Sequence, residues 1–379
     1  MTRTAYAEIN LPALRHNYAI AKRQLPGTRV WAVVKSNGYG HGLLRVAQAL
    51  PEADGFALIN LDDAIALRHA GIRAPILLLE GAIEARELDE AHAWQLDVVL
   101  RSEHQLQWLR ACGQPLRVWV KVNTGMNRFG FVPERAIEVV RQLQQDGICE
   151  VAGLMTHFAC ADDLATRLDA PWQRFMQVVD STGLPFTAAN SAATLRAPLT
   201  HGAAVRLGGL LYNNNPFYPD TSLWLDGLQP VMRFAARIVH TSELQAGDSI
   251  GYGAAFTAEK PMRIGIVGAG YGDGYPRAAP SGTPVLVNGQ RVPLVGRVAM
   301  NVLAIDLSDH PAVGIGDEVT LWGDAALSCD EIAWRCGTIS EELQCALTSR
   351  LPVRQIVADS HPRPLPDDQT APAQCLAYL

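Results

Sequence analysis

Eight short, nearly continuous apolar runs recur through the first two-thirds of the chain, each followed by an amphipathic stretch. They are Arg29–Lys35, Gly55–Asn60, Pro75–Leu79, Leu96–Leu100, Arg117–Val122, Val151–His157, Phe186–Asn190 and Ala203–Leu207. A strand with one face in water alternates apolar and polar residues. A run apolar at nearly every position reads instead as a strand buried on both faces, as in parallel sheets covered by helices. The intervening segments Asp62–Ala70 and Glu134–Gln145 read as helical, the second behind Pro133 at a first helical turn. Eight strand–helix repeats over about 200 residues predict a (β/α)8 TIM-like barrel. A doubly wound sheet is the competing arrangement, but no G-x-G-x-x-G follows the first run.

After about residue 225 the repeat stops. Short β-branched runs take over: Ala235–Thr241, Ile264–Val267, Val285–Val287, Val302–Ile305 and Glu318–Leu321, with Asn288-Gly289 as a type I′ hairpin signal between two of them. A mostly-β C-terminal domain is expected over 226–379, behind a barrel over 11–225, with Leu223–Gly227 as the junction. The run Ala5–Asn10 precedes the repeat and is expected to join the β domain.

The 379 residues suit two domains, and a hydrophobic fraction of 48% with 18% charged residues suits a soluble globular protein. A net charge of −6 without a basic stripe argues against nucleic acid as a partner. No apolar run approaches the ~20 residues of a membrane span, and the first residues lack a continuous apolar signal core. The seven cysteines are scattered without a C-x-x-C pair, so buried free thiols are expected, with no metal site. A cytoplasmic location follows from these readings.

Reactive side chains fall repeatedly where the strands end, which in such a barrel is where chemistry is done. Lys35 closes the run Trp31-Ala32-Val33-Val34 and opens the glycine-rich Ser36-Asn37-Gly38-Tyr39-Gly40-His41-Gly42. A lysine losing solvation at a strand mouth has a depressed pKa and can form a Schiff base with an aldehyde cofactor. The glycines admit close backbone approach, and Tyr39 offers a hydroxyl to a phosphate. The plainer reading is a strand-end lysine before an ordinary turn. Arg128 follows the fifth run, His157 ends the sixth, Asn190-Ser191 ends the seventh and Arg206 lies in the eighth. Taken singly, the histidine also reads as a satisfied polar group and the arginines as solvated charges.

The Lys35–Gly42 segment resembles the cofactor-lysine motif of the alanine racemase family, fold-type III enzymes dependent on pyridoxal 5′-phosphate (PLP). The likeness extends in order through Lys121–Gly130, Met155–Phe158, Val205–Gly209, Asp248–Gly253, Gly270–Arg277 and Gly296–Asn301. It implies that Lys35 carries PLP, that Arg206 faces the pyridine nitrogen, and that His157 lies near the ring. Tyr39, Ser191, Gly208 and Gly209 match the phosphate cradle. Tyr252 matches the second catalytic base and Tyr271 the entrance to the site. Arg128 and the Met300 amide match the carboxylate contacts, and Lys121 a carbamylated lysine paired with Arg128. The resemblance also implies a homodimer with shared active sites. Ala299, Asn301, Glu341 and Ser349 depart from residues common in the family, which bears on substrate preference and phosphate contacts.

The reading is therefore a two-base racemisation of L- and D-alanine with Lys35 and Tyr252 on opposite faces of Cα. The alternatives are a broad-spectrum amino-acid racemase of the same fold and a non-catalytic PLP-binding protein.

Overall fold

The computed structural model describes residues 4–357, which divide into two compact units. One takes residues 18–211 and 220–227; the other takes 4–17, 212–219 and 228–357.

In chain order the strands begin with β1 (Tyr6–Asn10), which belongs to the second unit. The first unit contributes β2 (Arg29–Val33), β3 (Gly55–Leu58), β4 (Ile76–Leu78), β5 (Asp97–Leu100), β6 (Leu116–Lys121), β7 (Cys149–Met155), β8 (Phe186–Thr187) and β9 (Ala204–Leu207). Each pairs in parallel with its successor up to β8, and β9 pairs with β2. Between β8 and β9 the gap is bridged by Ala203 N–H to Phe186 O (2.9 Å) and Arg206 N–H to Ala189 O (3.0 Å). All eight anticipated strands are present and form a nearly closed parallel barrel.

Their uniform apolarity has its cause in two-sided burial. Trp31, Val33, Ala57, Leu77, Val99, Trp119, Met155 and Ala204 fill the interior, while Val30, Phe56, Ile76, Val98 and Val118 are also buried. Trp31 and Trp119 meet edge to face at 5.7 Å. Gly153 makes room for Trp119, since a Cβ there would stand 2.7 Å from its ring. The helix Pro133–Asp146 buries Ala136, Val139, Val140 and Leu143, a single stripe at helical spacing, and ends on Gly147 in the left-handed region.

Several strand ends differ from the sequence expectation, and three of the differences fall at candidate site residues. The first stops at Val33 rather than Lys35, because Val34 leaves extended geometry and Lys35 opens a turn. The sixth stops at Met155, two residues before His157. The seventh stops at Thr187, because the chain turns so that Asn190 caps the helix Ser191–Arg196, its Oδ1 accepting from Ala193 N–H at 2.9 Å.

The second unit adds to β1 the strands β10 (Met232–Leu244), β11 (Ser249–Ile250), β12 (Phe256–Thr257), β13 (Met262–Val267), β14 (Pro284–Val287), β15 (Gln290–Val295), β16 (Leu303–Asp306), β17 (Glu318–Trp322) and β18 (Val353–Ile356). The sheet order is β13-β16-β15-β14-β17-β10-β1-β18. The 13-residue β10 also pairs with β13 through its second half, beyond an irregularity at Ile238/His240, so six strands close on themselves. Asn288 and Gly289 take φ of +51° and +75° at the β14–β15 hairpin, the backbone a type I′ turn needs. In the core of this unit Tyr275 stacks on Trp322, and Phe234 meets Trp322 edge to face.

Candidate functional site

The backbone after β2 is unusual. Ser36, Asn37, Gly38 and Tyr39 all adopt left-handed helical φ, from +53° to +60°, before Gly40 at +80°. The turn is closed by Gly38 N–H to Val34 O (2.9 Å), Gly40 N–H to Ser36 O (3.0 Å) and Gly42 N–H to Asn37 O (2.8 Å). It separates Lys35, partly buried at the barrel mouth, from Tyr39. The Tyr39 hydroxyl lies against Gly208, where a Cβ would stand 2.3 Å from it. The buried Ser191 Oγ accepts from the N–H groups of Gly208 (3.1 Å) and Leu210 (3.3 Å). Tyr39, Ser191, Gly208 and Gly209 thus gather beside one another after the ends of β2, β8 and β9.

Arg206 is buried inside the barrel. Its guanidinium donates to Thr187 Oγ1 (2.7 Å), Thr156 O (2.7 Å) and Ala188 O (3.1 Å), and lies 3.3 Å from His157 Nδ1. Burial alone lowers its pKa to about 10, so it stays protonated at neutral pH. His157 is pushed well below the ordinary imidazole range, by burial first and then by the charges of Arg206, Lys121, Arg128 and Lys35. Lys121 is likewise pushed well below the ordinary amine range by burial, then by Arg206 and Arg128, with Glu80 opposing. Asn123 Oδ1 accepts from Gly125 N–H (3.1 Å) and Asn127 N–H (3.0 Å), shaping the loop that carries Arg128. Lys121, Arg128, Phe129 and His157 line one small cavity.

The other expected residues lie on the second unit. Tyr252 stands in a short turn with Gly251 and Gly253 at φ of +76° and +73°, and is 68% exposed. Tyr271 and Met300 are brought together: Tyr271 N–H donates to Ala299 O (3.1 Å) and Gly272 N–H to Met300 O (2.8 Å). Gly270 permits this approach, since a Cβ there would fall 2.2 Å from Ala299 O. Arg350 donates to Asn301 Oδ1 at 3.0 Å and lies 3.8 Å from the buried Asp273. Sequence reasoning did not give Thr187 or Arg350 a role, because their partners Arg206 and Asn301 are distant in the chain; Asp273 lies within the Gly270–Arg277 motif and accepts from Gly270 N–H at 3.2 Å.

The alanine racemase N-terminal domain matches residues 9–216 and the alanine racemase C-terminal domain matches residues 231–355. Alanine racemase of Laribacter hongkongensis is 47% identical over 361 residues, covering 94% of this chain and 100% of that protein. The catabolic alanine racemase of Klebsiella aerogenes is 45% identical over 359 residues, covering 93% and 99%. Among solved structures, the biosynthetic alanine racemase of Pseudomonas aeruginosa superposes with a TM-score of 0.90 at 43% identity, covering 94% of this chain and 100% of that one. The Bacillus anthracis enzyme with bound L-Ala-P gives 0.81 at 30% identity, covering 94% and 96%. The chain belongs to the alanine racemase family, and so is an isomerase. Among the described residues, no helix is long and apolar enough to cross a membrane.

Proposed function

We propose that this protein interconverts L- and D-alanine with PLP, as a cytoplasmic homodimer with shared active sites. The observation that carries the reading is the left-handed turn that holds Lys35 at one end and sets the Tyr39 hydroxyl against Gly208 at the other. The residues fit the cofactor. Lys35 would hold its aldehyde carbon, while the Tyr39 hydroxyl, Ser191 and the amides of Gly208 and Gly209 would hold its phosphate. When bound, PLP supplies an electron sink that acidifies the substrate Cα–H.

Arg206 would face the pyridine nitrogen. A guanidinium only donates and keeps its protons, so Arg206 would donate to that nitrogen without protonating it, which would temper the sink and disfavour side reactions. Racemisation needs a proton removed from one face of Cα and returned on the other. Lys35 would serve the D-isomer and Tyr252 the L-isomer. A phenol is a weak acid, so a base of this kind needs a neighbour that favours its phenolate. His157 suits that part: with Arg206 donating toward Nδ1, the neutral ring carries its hydrogen on Nε2, a donor for a phenolate oxygen. Arg128 and the Met300 amide would hold the substrate carboxylate, and Tyr271 would line the approach. Lys121 would carry a carbamate that fixes Arg128.

The second unit, with Tyr252 presented on an exposed turn, favours an enzyme over a simple PLP carrier. Assay of the purified protein on L-alanine, L-serine and L-lysine tests the reading. Inversion of alanine well ahead of the others is expected. Comparable rates on all three would favour a broad-spectrum racemase, and no inversion would refute the proposal.

A further inference from the structure

The turn between Lys35 and Tyr39 is strained as it stands. Ser36, Asn37 and Tyr39 hold φ of +53°, +55° and +54°, a region that disfavours residues bearing a side chain, asparagine least among them. Such geometry persists only where the surroundings over-determine it. Part of the support is local: Asn37 Oδ1 accepts from Leu43 N–H at 2.9 Å. Val46 closes one side, since a Cβ on Gly38 would meet its Cγ2 at 3.0 Å.

Besides the backbone hydrogen bonds that close the turn, further support comes from His41, which is fully buried. Its Nδ1 lies 3.1 Å from Gly38 O and 2.9 Å from Tyr39 O. Carbonyl oxygens only accept, so Nδ1 must carry the ring hydrogen and share it between the two. Burial lowers the imidazole pKa to about 4, consistent with a neutral ring at pH 7. Arg45 donates in turn to His41 O, tying the histidine to the following helix Leu43–Ala49.

We infer that His41 is a positioning residue: its Nδ1–H, bridging the Gly38 and Tyr39 carbonyls, holds the left-handed turn that sets Lys35 and the Tyr39 hydroxyl for the cofactor. The inference rests on the proposed role of Lys35 and Tyr39. Without the donor, Tyr39 O loses this hydrogen bond, while Gly38 O keeps only its backbone donor, His41 N–H at 3.0 Å. Relaxation of Tyr39 toward negative φ then carries its hydroxyl away from Gly208.

The test is cofactor retention. Holoprotein of the parent, His41→Phe and His41→Asn is dialysed against graded PLP, and occupancy is read from cofactor absorbance. The Phe variant fills the space without a donor and is expected to need roughly tenfold more PLP for half-saturation. Asn places its Nδ2 one bond from Cγ, as Nδ1 is, and should return retention to within about threefold of the parent by supplying the same hydrogen bond. Parent-like retention by the Phe variant would overturn the inference while leaving the cofactor site intact. Should the Phe variant fail to fold, the Asn variant decides: rescue supports the inference, and a loss of roughly tenfold or more refutes it. A parent that takes up no PLP removes the reading of the site itself, and this inference with it.

Discussion

Arg206 Nη2 lies 3.3 Å from His157 Nδ1. The guanidinium has donors only, so the contact requires an unprotonated Nδ1, and the positive charge in turn opposes protonation of the ring. The barrel end therefore gathers two bases whose protonation is opposed by burial and by neighbouring charge, His157 and Lys121, beside a charged Arg206.

Lys35 is expected to carry the cofactor covalently. Borohydride reduction followed by peptide mapping should place the pyridoxyl group on Lys35, and Lys35→Ala should abolish racemisation. Label on a different lysine would refute the assignment.

Burial lowers the pKa of Lys121, which favours its adding carbon dioxide with release of one proton, and the resulting carbamate can accept a charge-assisted hydrogen bond from Arg128. Experimental electron density should show three extra atoms on Lys121 Nζ. A bare ammonium, or a chloride beside Arg128, would count against the carbamate.

If each site takes Lys35 from one subunit and Tyr252 from the other, a two-fold dimer builds two sites at once. Mixed Lys35→Ala and Tyr252→Ala chains, each inactive alone, should then recover activity. One site of the heterodimer receives both native residues and the other neither. Subunit exchange with activity still at zero would be incompatible with sharing.

Gly208→Ala places a Cβ 2.3 Å from the Tyr39 hydroxyl. The tyrosine must move, and PLP affinity should fall by roughly tenfold or more through loss of a hydrogen bond to a charged phosphate. Far-ultraviolet circular dichroism should be unchanged. Equilibrium dialysis gives the affinity, and an unaltered value would mean that Tyr39 does not contact the phosphate.

His41 also makes stability depend on pH. Its folded-state pKa lies below the ordinary 6.5, at about 4, so below pH 6.5 the unfolded state binds the extra proton and is favoured. The histidine contributes nothing to this slope above that range, and the loss is complete below about pH 4. Between pH 7 and pH 5 the parent should lose about 2 kcal/mol of unfolding free energy relative to His41→Asn. Urea denaturation of both proteins at the two pH values checks this; parallel curves would show that the ring titrates normally.

The eight apolar runs were legible as barrel strands because two-sided burial leaves a local, one-dimensional mark, and Asn288-Gly289 was legible as a hairpin because a type I′ turn selects its residues directly. The residue types of the candidate site, from Lys35 to Tyr252, could likewise be picked out from short motifs. Only the tertiary structure decided that Val34 leaves the strand for a left-handed turn, that Thr187 receives Arg206, and that β10 serves two neighbours. These outcomes depend on which distant groups close around a residue. A lysine's charge state and a strained backbone are set by that enclosure, and enclosure has no period in the sequence.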